Sequence, residues 1–356
     1  MGFISAHDAA EKWGISKRRV SVLCSENRIT GATMVGNMWM IPEDAVKPEA
    51  ARENRNAARG GLLKPFVKWA GGKGQLRDQF RKQYPVGLGR ELTKYAEPFV
   101  GGGAVLFDII ENFKLEEIYI SDSNAVLMKT YQIIRDNVNE LIKGLSALQR
   151  EYMPMSTEDR KIYYNLKRER INKIKINDEE LMNIEKSALF IFLNKTCFNG
   201  LYRVNRKGLF NVPMGAYKNP CICDQANLIK ISRALKNVKI VCGDYRESFD
   251  FIDKHTFVYL DPPYRPLTET ANFTAYTENL FDDKAQAELV EYVDLLDKKG
   301  AKVLVSNADP KNANADDDFF DELYKAYKIK RVAATRMINC NGKARGKISE
   351  LLITNY

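Results

Sequence analysis

Short apolar runs that end on a polar residue recur along the chain, and between them apolar residues return every three or four positions. Residues 117–122 (EIYISD), 239–244 (KIVCGD), 256–261 (TFVYLD) and 302–307 (KVLVSN) are four such runs. Each is short and rich in β-branched and aromatic residues, which predicts buried strands with polar tips. Helical spacing fills the intervals, as at 105–110, 184–193 and 286–299. Strand, polar tip, helix, strand is the order of a doubly wound α/β sheet, in which ligands bind beyond the carboxyl ends of the strands. Residues 145–236 break the rhythm with a charged helical stretch (EDRKIYYNLKRERINKIK), an apolar helix and a loop rich in Gly and Asn. They predict a mostly helical insertion, with 62–144 and 237–356 forming the sheet domain.

The first 46 residues follow a different plan. Ser5 and Asp8 open a short helix carrying Ala9, Ala10 and Trp13, and Gly14 can end it in a left-handed cap. Ser16 caps a second helix that begins Lys17, Arg18, Arg19 and turns Val20, Leu23 and Cys24 inward. Residues 35–41 then read as a hairpin with Gly36-Asn37 in its turn. Helix, turn, helix and wing resemble the winged helix-turn-helix of excisionase and MerR-type proteins, where such cations face DNA; a small helical cap with solvated cations is the competing reading. Residues 47–61 (KPEAARENRNAARGG) read as a polar linker.

At 356 residues the chain is long enough for a main domain with smaller attachments. No apolar run reaches the length of about 18 residues that a membrane span needs, and the N-terminus lacks a signal-peptide pattern. A cytoplasmic protein with no membrane partner is expected. Six scattered cysteines read as free thiols, since Cys221-Ile222-Cys223 has the wrong spacing for a zinc pair. With only His7 and His255 present, neither a histidine-rich metal site nor an imidazole relay is available, and no metal is expected. Residues 151–236 hold 16 Lys and Arg against 9 Asp and Glu, a balance that suits a polyanion, although many basic proteins bind none.

Three segments carry chemistry. Residues 96–104 (AEPFVGGGA) place glycines between a candidate strand and a helix, where backbone can approach a ligand closely. Asp122, at a strand tip about 20 residues later, is placed to accept bonds from ribose hydroxyls, as an adenosine cofactor requires, or to cap a helix. The third is Asp261-Pro262-Pro263-Tyr264. An amino group on an aromatic ring is a poor nucleophile because its lone pair is delocalised. Two acceptors, the Asp261 carboxylate and the Pro262 carbonyl, can hold both N–H bonds and draw the nitrogen toward tetrahedral geometry. Pro262 and Pro263 fix the chain and offer no competing N–H, and Tyr264 gives a flat face for the ring to stack on. Such catalysis works by positioning and electrostatics, with no covalent intermediate.

Lys68-Trp69-Ala70-Gly71-Gly72-Lys73, EPFVGGGAV at 97–105, Asp122-Ser123-Asn124, FNGLYRVNRKGLFNVPMG at 198–215, DPPY, and the ending 336–356 together resemble the Dam-type adenine-N6 DNA methyltransferases, in the motif order of the alpha group. The resemblance spans residues 62–356. It implies a Rossmann-like methyltransferase sheet with a target-recognition insertion at 145–236, S-adenosylmethionine as cofactor and S-adenosylhomocysteine as product. Trp69, Ala70, Gly71, Gly72 and Lys73 would wrap the cofactor, Glu97, Pro98, Phe99, Gly101 and Gly103 would form its main loop, and Asp122 with Asn124 would hold the ribose side. Asp244 and Tyr245 would lie against its adenine, with Asp261 at the methyl. In the insertion, Asn199, Gly200, Leu201 and Arg203 match the recognition hairpin, Arg203 reading a guanine. Lys68 would support that base pair, Phe198 would wedge into the base stack or pack in the core, and Pro213 and Tyr217 fall at contact positions. Double-stranded DNA is the implied partner, GATC the implied site, and a restriction endonuclease a candidate companion; the sequence is silent on oligomeric state. Because a stacked adenine cannot reach DPPY, it would have to be flipped out. Leu209 and Ala216 stand where many relatives carry an acid and an arginine. Methylation of cytosine N4 or RNA, a nicotinamide oxidoreductase and a non-catalytic DNA-binding regulator are the alternatives.

Overall fold

The computed structural model describes residues 2–25, 29–36, 38–47, 62–69, 71, 73, 77–176, 179–265, 281–335 and 347–356. Ala70, Gly72, residues 48–61 of the linker and 336–346 of the closing motif lie outside them. The chain divides into two compact units, Met1–Leu62 and Leu63–Tyr356.

In the first unit, β1 (Phe3–Ser5) leads into α1 (Ala6–Trp13) and α2 (Lys17–Ser25), followed by β2 (Thr33–Val35) and β3 (Met38–Pro42). Ser5 and Asp8 form a reciprocal capping box, and Gly14 ends α1 at φ 62°, its N–H returning to the carbonyls of Ala10 and Glu11. The sheet order is β1-β3-β2, antiparallel throughout. Ala9, Trp13, Val20, Leu23, Cys24 and Ile41 make its core, so the inward residues read from helical spacing are inward. Strand β1 was not expected, since three residues are too few to show a period.

The second unit is built on a seven-stranded sheet of order β6-β5-β4-β7-β8-β10-β9. Its strands are β4 (Lys94–Glu97), β5 (Glu117–Asp122), β6 (Val238–Cys242), β7 (Thr256–Leu260), β8 (Lys302–Ala308), β9 (Lys328–Thr335) and β10 (Lys347–Thr354). Strands β4 to β8 pair in parallel, and β10 runs antiparallel between β8 and β9. The protein is therefore α/β with a mostly parallel central sheet, as the four polar-tipped runs required. All five residues of β7 are buried, which is why that run is apolar without alternation. The chain moves outward from β4 through β5 to β6, then returns across β4 to β7, so the strand order reverses between β4 and β7. A crevice for ligands opens at such a reversal.

Between β5 and β6 the chain runs through α3 (Ala125–Asp136), α4 (Val138–Tyr152), α5 (Thr157–Lys173), α6 (Glu180–Thr196) and α7 (Gln225–Ala234), with no strand of the main sheet among the described residues. Helix α4 runs across position 145, where the sequence reading begins the insertion. Eleven residues of α6 are buried, which explains its weak helical asymmetry: it is wrapped on all sides. Among the described residues Cys24, Cys197, Cys221, Cys223 and Cys242 are free thiols, and no helix is long and apolar enough to cross a membrane.

Candidate active site

Strand β4 delivers Glu97 to the crevice, and the turn after it is shaped by glycine. Gly101 and Gly103 sit at φ 48° and 73°, in the left-handed region. A Cβ on Gly101 would lie 2.7 Å from Trp69 Cδ1, and one on Gly103 2.6 Å from the Tyr131 hydroxyl. Trp69 thus packs flat under the loop, stacked on Tyr202 at 5.5 Å. Glu97 is only 2% exposed and accepts a 2.7 Å bond from the Tyr95 hydroxyl. Burial pushes its carboxyl well above the usual range, and nearby Asp261 adds to this while the Tyr95 bond opposes it.

At the tip of β5, Asp122 Oδ2 accepts the Gly101 N–H at 3.1 Å and Oδ1 accepts the Asn124 N–H at 2.9 Å. Burial raises this carboxyl, and the two backbone bonds pull against it. Asn124 in turn caps α3 through Leu127 N–H at 3.0 Å. The acid is thereby fixed in orientation, and each oxygen keeps a lone pair for a hydroxyl. The Ser121 hydroxyl reaches the Pro98 carbonyl at 3.4 Å. Phe99 lies against Tyr245, ring centroids 5.2 Å apart, and the buried Tyr245 hydroxyl has no hydrogen-bond partner. Asp244 caps the turn that starts at Tyr245. These groups line the crevice side on which the nucleoside of a cofactor would rest, and the glycine surfaces, the oriented acid and the orphan hydroxyl fit one.

Asp261 follows directly on the last residue of β7. Its Oδ1 receives two donors, Ser306 Oγ at 2.8 Å and Lys73 Nζ at 2.8 Å. Tyr259 and Ser306 share a further bond of 2.8 Å. No bond to Oδ2 is present among the described residues, so that oxygen is left for another donor. Pro263 is held from behind: its carbonyl accepts Gln286 Nε2 at 3.3 Å, and Gln286 Oε1 accepts Asn307 Nδ2 at 3.2 Å. Lys73 is 3% exposed, also donates to the Tyr264 hydroxyl and to the Gly71 carbonyl at 3.0 Å, and sits 4.6 Å from the Tyr264 ring centre. Burial alone would lower its pKa, but Asp261, Tyr264 and Glu350 together raise it, so the ammonium stays charged. Tyr264 is raised by burial and by Asp261, and stays a neutral ring.

The insertion presents a second cluster. Cys197 bridges Met214 and Val204 bridges Phe210, closing a hairpin that turns at 205–208. Asn199 sits at φ 55° and Gly200 at φ 65°. A Cβ on Gly200 would meet Lys68 Cδ at 2.3 Å, so only glycine lets the two segments touch. Buried Asn194 ties them together: it accepts Lys68 N–H at 2.7 Å and donates to the carbonyls of Lys68 at 2.8 Å and Gly200 at 3.0 Å. Lys68 Nζ donates to Tyr217 Oη at 3.0 Å, over the same ring at 4.2 Å. The Pro213 carbonyl accepts Phe198 N–H at 2.9 Å, and the cap after that turn is Leu201. Arg203 is exposed and donates from Nε to Asn211 Oδ1 at 2.8 Å. Phe198 is 49% exposed, which removes the core-packing alternative for it.

Sequence reasoning missed Asn194, Gln286 and Glu350, and reads Ser306 and Asn307 only as the polar tip of a strand. Asn194 and the pair Ser306-Asn307 do carry a signal, since a polar residue inside an apolar run must find partners once buried.

A mostly parallel sheet with β10 antiparallel near one edge, a glycine loop after β4, an acid on β5 and Asp-Pro-Pro-Tyr after β7 places the protein in the class of S-adenosylmethionine-dependent methyltransferases. The narrower identity comes from comparison: the chain belongs to the D12 class N6 adenine-specific DNA methyltransferase family, whose model matches residues 69–338. Type II methyltransferase M.MjaIII of Methanocaldococcus jannaschii is 47% identical over 296 residues, 83% of this chain and 99% of that protein. Type II methyltransferase M1.LlaDCHI of Lactococcus lactis subsp. cremoris is 36% identical over 83% of this chain and 96% of its own length. The DNA adenine methylase of Escherichia coli K12 is 34% identical over 81% and 93% respectively. Adenine-specific methylation of DNA replaces the oxidoreductase and regulator alternatives.

Proposed function

We propose that this enzyme methylates N6 of an adenine flipped out of a short duplex site, with GATC the site expected. The observation that carries the reading is Asp261, anchored through Oδ1 by Lys73 and Ser306 with Oδ2 left to accept. Oδ2 and the Pro262 carbonyl would each take one N–H of the amino group, turning its lone pair toward the cofactor crevice, while Tyr264 stacks on the purine. S-adenosylmethionine held there would supply an electrophilic methyl, with S-adenosylhomocysteine and the proton released from N6 as the other products. Trp69, Gly71, Lys73, Glu97, Pro98, Phe99, Gly101, Gly103, Asp122, Asn124, Asp244 and Tyr245 would frame that crevice, with Ala70 and Gly72 in the same motif. Lys68, Phe198, Asn199, Gly200, Leu201, Arg203, Pro213 and Tyr217 would meet the duplex.

The test is transfer of radiolabelled methyl to duplexes of differing sequence, followed by nucleoside analysis. Label is expected in N6-methyladenine and highest for GATC; label only in cytosine or RNA would refute the reading. The relatives' names divide between type II methyltransferase and DNA adenine methylase, so marking of a site, alone or beside a restriction endonuclease, is the proposed role.

We read the first unit as a winged helix-turn-helix that adds contacts to the same duplex. Lys17, Arg18 and Arg19 are exposed on the first turn of α2 and form no ion pair among the described residues. Replacing all three by Ala is expected to lower the slope of log affinity against log salt by about 2 to 3. An unchanged slope in a binding titration would remove this unit from the interface.

A further inference from the structure

Lys73 is surrounded by more negative charge than its hydrogen bonds need. An ammonium has three donors, and all three are spent, on Asp261 Oδ1, the Tyr264 hydroxyl and the Gly71 carbonyl. Glu350 nevertheless brings a second carboxylate to 3.7 Å from the same nitrogen. Its Oε2 is buried with no hydrogen-bond partner. It projects from β10, registered against Ala308 of β8 and Val332 of β9, and the next three residues, Leu351, Leu352 and Ile353, are at most 1% exposed. A carboxylate this far from water with one oxygen left unmatched costs stability, and an apolar residue would pack there more cheaply.

The placement has an electrostatic reason. Lys73 fixes Asp261, but its charge also cancels that of Asp261, and a neutralised carboxylate is a poorer acceptor for an amino group that becomes positive as it gains a methyl. We infer that Glu350 is a positioning residue for methyl transfer, offsetting Lys73 so that Asp261 is held in place without losing its field at Oδ2. The groups facing one another are then two acids, one ammonium and one phenol, with a net negative charge where positive charge develops. Burial, and then Asp261, raise the Glu350 carboxyl above the usual range while Lys73 and Tyr264 pull it back, so Lys73 and Glu350 each favour the other's charged form. The inference rests on the methyltransferase reading above.

Glu350→Gln keeps the shape and removes the charge. Its single-turnover rate, at saturating duplex and cofactor, is expected to fall roughly tenfold or more. Duplex and cofactor affinities and the melting temperature should stay near wild type, and Glu350→Asp should recover part of the rate. In a Lys73→Met background the same Gln substitution should cost nothing further, because the charge it offsets is gone. A wild-type rate in Glu350→Gln, an equal fall in both backgrounds, or a loss of folding that Glu350→Asp does not relieve would each overturn the inference. The apoenzyme gives an independent readout: in Glu350→Gln the Lys73 13Cε resonance should titrate at lower pH than in wild type, and an unchanged titration also counts against it. Wild-type incorporation, measured in the same series, tests the methyltransferase reading separately.

Discussion

Asp261→Ala is expected to abolish detectable methyl transfer, a fall of about a thousandfold or more in single-turnover rate. The amino nitrogen then keeps only one of its two acceptors and stays conjugated with its ring, and nothing nearby replaces the lost oxygen. Glu97, the neighbouring acid, is buried against Tyr95 and its pKa is raised, so it is a poor substitute. The Ala variant also strips Lys73 of its 2.8 Å partner, and breaking such a buried pair costs up to about 3–5 kcal/mol of stability. Asp261→Asn separates the two effects, since it keeps the volume and can still accept from Ser306. Both variants should bind cofactor. Circular dichroism and calorimetry establish that they are folded, and an Asn enzyme with wild-type single-turnover rate would remove Asp261 from its assigned role.

Arg203→Ala is expected to relax selection at a single guanine, losing about 1–3 kcal/mol of discrimination there and little elsewhere. The hairpin explains why the effect should be local. Arg203 Nε is tied to Asn211 Oδ1, which aims the guanidinium, while its two terminal nitrogens carry no bond among the described residues. Two parallel donors on a planar fork match guanine O6 and N7, and alanine keeps the hairpin but offers neither. Methylation rates on duplexes substituted one base pair at a time give the result. A fall of equal size on every duplex would make Arg203 a phosphate contact instead.

The sheet was legible because its central strands are buried on both faces and end in polar residues, a pattern that helices of this length do not produce. The outer strands were not. Strand β9 (KIKRVAAT) is an edge alternating with Lys and Arg, and β10 hides an acid inside an apolar run. The glycine loop, Asp122 and Asp261 were legible because their chemistry lies in adjacent residues. Asn194 signals from its apolar run only that it needs partners, not which, for Lys68 lies 126 positions away and only folding brings the two together. Glu350 was hidden in the same way, since no local pattern says that a strand acid will face a lysine near the start of the domain. Phe198 shows the opposite failure: following an apolar helix, it reads equally as core or as surface, and only its exposure decides.

Asn194 has a consequence for what sequences this protein can become. Its carboxamide mimics a short length of strand, matching both main-chain groups of Lys68 and reaching the Gly200 oxygen with its remaining hydrogen. Aspartate would present an oxygen to two other oxygens, leucine would leave three main-chain atoms dry and unmatched, and glutamine is one methylene too long for the gap. A position of this kind admits almost no neutral drift while the two segments it joins stay in contact.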